Sequence, residues 1–123
     1  MKNFILTFTF LLISTLLFGQ QMSYTTWKEE AKTNIRLLPK YGNVTKTKEQ
    51  KQADEEMIKS YLEKEGTPRK ASELLIRLGY DYLYKGDIKT AMYRFNQAWL
   101  LDPKNDNVFW GFGAVYFMFQ DYE

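Results

Sequence analysis

Two stretches of this chain match each other at a fixed offset of 34 residues. Leu75 aligns with Phe109, Leu78 with Phe112, Gly79 with Gly113 and Tyr82 with Tyr116. An internal period of this length leaves few folds open. Each copy is one supersecondary unit that cannot bury its apolar face alone, so copies stack to build a continuous core. Within the first copy the pattern runs on through Gly86, Ala91, Phe95, Ala98 and Pro103.

These residues carry a resemblance. Leu75-x2-Leu78-Gly79-x2-Tyr82, then Ala91-x3-Phe95, then Pro103 resembles the tetratricopeptide repeat (TPR), whose pattern is W-x2-L-G-x2-Y, A-x3-F and P. The departure is Leu75 where the pattern has Trp. The match covers Ser72 to Asn105, then only the first helix of a second unit. The resemblance implies an all-α chain, a helix-turn-helix solenoid fragment of exported bacterial type with two extra N-terminal helices. Small Gly79 and Ala98 sit where two helices must approach, and Leu78, Tyr82 and Phe95 fill the space around them. Gly86-Asp87 makes the turn, with Asp87 capping the next helix, and Asp102-Pro103 ends that helix. Helices are predicted at 68–85, 88–101 and 106–119. All of these motif residues, Phe109, Phe112, Gly113 and Tyr116 included, are expected to make the fold and not the function.

The resemblance also implies a binding surface. The first helix of each unit lines the concave side of such a stack. The stripe there is Glu73, Ile76, Tyr80, Leu83 and Tyr84, followed by Asn107, Trp110, Ala114, Phe117 and Met118. Ile76, Tyr80, Leu83, Tyr84, Trp110 and Phe117 are the candidate protein-binding residues. Some members grip a terminal carboxylate with Lys, Arg and Asn on this stripe. Only Asn107 is of that kind here, so a carboxylate clamp is not expected, and any partner protein or peptide needs apolar or aromatic anchors. The two N-terminal helices carry dry faces of their own. Either they fill the concave side, making Tyr80, Tyr84 and Trp110 core, or they leave it open.

The N-terminal half divides at the first charge-rich residues. Lys2 precedes an uncharged run of 15 residues, 4–18, and Gly19-Gln20-Gln21 follows, the order of a signal peptide over 1–19. Export to the periplasm, cell surface or medium is expected. The alternative is an uncleaved segment anchoring a membrane-attached assembly or structural subunit. Residues 20–66 form a helical extension. Thr26-x-x-Glu29 and Thr47-x-x-Gln50 have capping-box spacing. They predict helices over 27–37, with Trp27, Ala31, Ile35 and Leu38 on one face and Pro39 as its stop, and over 48–64, with Met57, Ile58 and Tyr61 as a narrow dry stripe and Gly66 beyond its end. Asn43-Val44-Thr45 fits a glycosylation sequon and means little in a bacterial host. Asp54-Glu55-Glu56 reads as a solvated helix face. Thr67-Pro68 then opens the first repeat unit, 67–105, and 106–123 begins a second, incomplete one.

Composition removes other functions. The chain has no Cys and no His, so disulfides, thiolate nucleophiles, Cys/His zinc sites, His triads and a lipid-modified Cys all fall away. Loss of the leader leaves 16 positive and 15 negative side chains, with no basic field for nucleic acid. No cofactor, metal or enzymatic role is expected. The last feature is the uncharged run 108–119, with six aromatics in 12 residues, too short to span a bilayer. A helix apolar all round needs cover on all sides. The expectations are a truncated array, a homodimer through 106–119, or docking of this helix on another protein.

Overall fold

The computed structural model describes residues 22–119, so the leader at 1–19 and the turn at 120–123 lie outside it. Among the described residues the chain is all-helical, with no strand. None of these helices is long and apolar enough to cross a membrane. The α-helices are α1 (Tyr24–Ala31), α2 (Lys48–Glu65), α3 (Pro68–Tyr84), α4 (Ile88–Leu101) and α5 (Asn107–Phe117).

Local chemistry sets most of these boundaries. Thr47 and Gln50 form a reciprocal capping box on α2, and Gly66, at φ 87°, closes it. Thr67 caps α3 ahead of Pro68, and Asp87 caps α4 by accepting from the Thr90 amide at 3.1 Å. Gly86, at φ 86°, makes the turn that folds α4 back along α3. Among the described residues these two helices form the most extensive contact.

The first helix differs from its predicted span of 27–37. It begins at Tyr24, because Ser23 and not Thr26 supplies the cap, and it ends at Ala31. The Asn34 side chain accepts from the Arg36 amide and donates to the Tyr93 hydroxyl at 2.9 Å. That draws the backbone out of the helix into a short 3-10 turn, Ile35–Leu37. The buried face therefore runs through Trp27, Ala31 and Leu37, while Ile35 and Leu38 are only half-buried.

The core lies between α3, α4 and α5. Leu75, Gly79, Ala91, Phe95, Ala98 and Phe112 are buried there; Leu78, Tyr82 and Tyr116 are partly so, and Pro103 is exposed beyond α4. The Phe95 ring fills the space between two glycines. A Cβ on Gly79 or on Gly111 would fall under 3.0 Å from it. Gly113 differs from its expected role: a Cβ there meets nothing within 4 Å. Phe95 sits between α3 and α5 and reaches the inner side of α5, where Gly111 lies. Phe109 likewise stays exposed, with the Lys40 ammonium 4.9 Å above its ring. Buried Ser72 donates to the Ala98 carbonyl and accepts from Asn105.

The N-terminal segment wraps the far side of α4. Buried Asn96 donates to the carbonyls of Arg36 and Leu38, both at 2.9 Å, and accepts from the Lys40 amide at 2.8 Å. Lys89 pairs with Glu30 at 2.5 Å. At its start, Trp27 and Tyr24 lay their rings on Phe119, and Tyr24 meets Tyr116 edge-on at 6.2 Å.

Candidate protein-binding groove

Helices α3 and α5 each turn one face to the core and leave another free. On α3 the inward residues are Leu75, Gly79 and Leu83. On α5 they are Val108, Gly111, Phe112 and Val115. Other residues of each helix face solvent. Tyr84 is 84% exposed, Trp110 76% and Phe117 67%, very high values for large aromatics. A concavity of ≈ 450 Å³ separates the two helices, lined by Glu73, Ile76, Arg77, Tyr80, Asn107 and Trp110. Five of those six belong to the predicted stripe.

Tyr80 forms the floor of this groove. Its ring meets Phe95 edge-on at 5.1 Å and stacks with Tyr84 at 6.3 Å. Partial burial, and secondarily the neighbouring Tyr84 phenol, push its own phenol above the ordinary value. It is a packed residue with one accessible side. Ile76 is also half-buried beside it.

Two expectations about the stripe change. Leu83 is not a surface residue: it is 4% exposed, because it continues the row of Leu75 and Gly79 and packs into the core. Arg77 was not on the stripe, yet it lines the groove opposite Asn107. It lies one turn from both Glu73 and Tyr80, so the stripe is wider than the apolar spacing alone suggests.

The N-terminal elements do not fill the groove. The 3-10 turn and the following turn pack on α4, and α1 covers the end of α5 at Tyr116 and Phe119. No described residue before Glu73, from these elements or from α2, lines the groove, and Tyr84 and Trp110 stay exposed.

A second concavity, ≈ 290 Å³, lies between α2 and the N-terminal wrap. Lys46 pairs there with Asp54 and lies over the Tyr41 ring. Asp54 is thus a tether for the wrap, unlike exposed Glu55 and Glu56. Among the described residues no group of three acidic side chains comes together as a metal site. Comparison with protein-family models, curated proteins and solved structures found no match.

Proposed function

We propose that this chain is a TPR-type scaffold that binds another protein or peptide in the groove between α3 and α5 and catalyses no reaction. One observation carries the reading: exposed Trp110 lines the concavity between α3 and α5, exposed Tyr84 stacks on Tyr80 of its lining, and Phe117 stands exposed farther along α5. Leaving three large aromatics in water forgoes roughly 5–9 kcal/mol of burial. A partner that covers them recovers part of it. The 34-residue offset and the antiparallel pair α3–α4, followed by α5, support the repeat reading. The near-neutral charge supports a protein partner over nucleic acid. Residues 1–19 support export, and the N-terminal sequence of the protein recovered outside the cytoplasm tests that part.

The groove itself is tested with a peptide array probed by the native chain and by Trp110→Ala and Phe117→Ala. Binding is expected to weaken at least tenfold in both variants, with helix content unchanged. Binding that ignores both substitutions rules the groove out.

A homodimer through residues 106–119 is the second reading, favoured by Trp110 and Phe117 lying exposed on the same helix. It requires a concentration-dependent dimer in sedimentation velocity that Trp110→Glu abolishes.

A further inference from the structure

Glu73 and Arg77 are one turn apart on α3, an arrangement that commonly closes into an ion pair. Here it does not. The ion pairs among the described residues are Lys32–Glu29, Lys46–Asp54, Arg69–Asp102 and Lys89–Glu30. Glu73 and Arg77 are both exposed, and both line the groove. Across from them stands the Asn107 amide, which can donate or accept. Beyond Arg77 the groove character changes. Tyr80 and Trp110, which line it, and Tyr84, stacked on Tyr80, bring no formal charge. The groove therefore has a dipolar end and an aromatic end, and along α3 the order is Glu73, Arg77, then aromatics.

We infer that the groove takes an oriented peptide segment, in which an aromatic or large apolar residue is followed by an acidic side chain and then, further along, by a basic one. This rests on the groove reading above and adds the chemistry and order of the partner. The aromatic residue lies among Tyr80, Tyr84 and Trp110. The acid meets Arg77, and the base meets Glu73 at the far end. From Glu73 to Tyr84 the helix rises about 16 Å, the length of roughly five extended residues. Glu73 and Arg77 are about 6 Å apart along the helix, so acid and base in an extended ligand stand about two residues apart. Opposite charges placed in this order set orientation and partner choice more than total affinity.

The test is selection of a random heptapeptide display library on the full native chain, on the double variant Glu73→Arg/Arg77→Glu, and on Trp110→Ala. All three positions are exposed, so the fold is retained, and circular dichroism checks it. The native chain is expected to enrich peptides ordered aromatic, acid, base. The charge-swapped variant is expected to enrich aromatic, base, acid. Each set is expected to prefer its own protein by about tenfold. Peptides that bind both proteins equally, while Trp110→Ala abolishes binding, overturn the order and leave the groove standing. Peptides indifferent to Trp110→Ala as well, or a library that yields no binder, overturn the groove reading too.

Discussion

Lys40, Tyr41, Gly42 and Asn43 hold positive φ in succession, at 55°, 56°, 67° and 54°. Only glycine adopts this region without cost, so the other three store on the order of 1 kcal/mol each. Asn96 offsets the strain by holding the carbonyls before the turn and the Lys40 amide inside it. Asn96→Ala removes three hydrogen bonds and takes the Asn96 partner from the Arg36 carbonyl and the Lys40 amide, while the Leu38 carbonyl keeps the Tyr41 amide. Urea denaturation is expected to show a loss of about 3 kcal/mol. Nothing in the spacing of α4 identified Asn96, because a polar residue on a helix reads as outward unless its distant partners are known. Tyr41 adds a pH signature. Burial first, and then the Asp54 carboxylate, push its phenol above the ordinary value, against a smaller pull from Arg36. The unfolded phenol ionises near pH 10 while the folded one keeps its proton. Stability is therefore complete below about pH 10 and falls above it, by up to about 1.4 kcal/mol per pH unit. Between pH 9 and pH 11, Tyr41→Phe is expected to lose less stability than the native chain.

Helix–helix approach is set by Phe95, held between Gly79 on α3 and Gly111 on α5. An alanine in a helix normally gains about 0.5–1 kcal/mol over glycine. At Gly79 and Gly111 the added methyl enters the ring, and a net loss of about 1–3 kcal/mol is expected from each substitution. Gly113→Ala meets open space and is expected to gain the ordinary increment. Thermal denaturation of the three variants distinguishes these signs. The contrast also marks what the sequence made legible. Thr67-Pro68, Gly86, Asp87 and the period placed α3 and α4 almost to the residue. The same period paired Gly113 with Gly79 and so hid Gly111, whose role depends on a ring two helices share. In α5 nearly every residue is apolar, so no polar face revealed which side turns inward. Ser23 and Thr26 are equally good caps on paper, and Asn34's long-range bond to Tyr93 ended α1 early.

The whole molecule closes from its N-terminal side. Trp27 is buried against Phe119, and the wrap from Leu37 to Lys46 covers α4. Trp27→Ala is expected to cost about 3–5 kcal/mol and to speed amide exchange in 107–117, the helix it backs. Sequence spacing showed the aromatic stripe but left its cover undecided, since the dry faces of the N-terminal helices fit either side of the repeat. The answer lies in contacts far apart in the chain, Asn34 with Tyr93 and Asn96 with Leu38, which no local pattern encodes. Those contacts leave the groove open, and Trp110 reports on it directly. The deciding measurement is acrylamide quenching of tryptophan fluorescence in the dilute native chain, with Trp110→Phe subtracted to isolate that one indole. An emission at the wavelength of a solvated indole, quenched freely, is the expected result. A blue-shifted Trp110 that acrylamide cannot reach would mean that the groove is covered in the free protein and is not a docking surface.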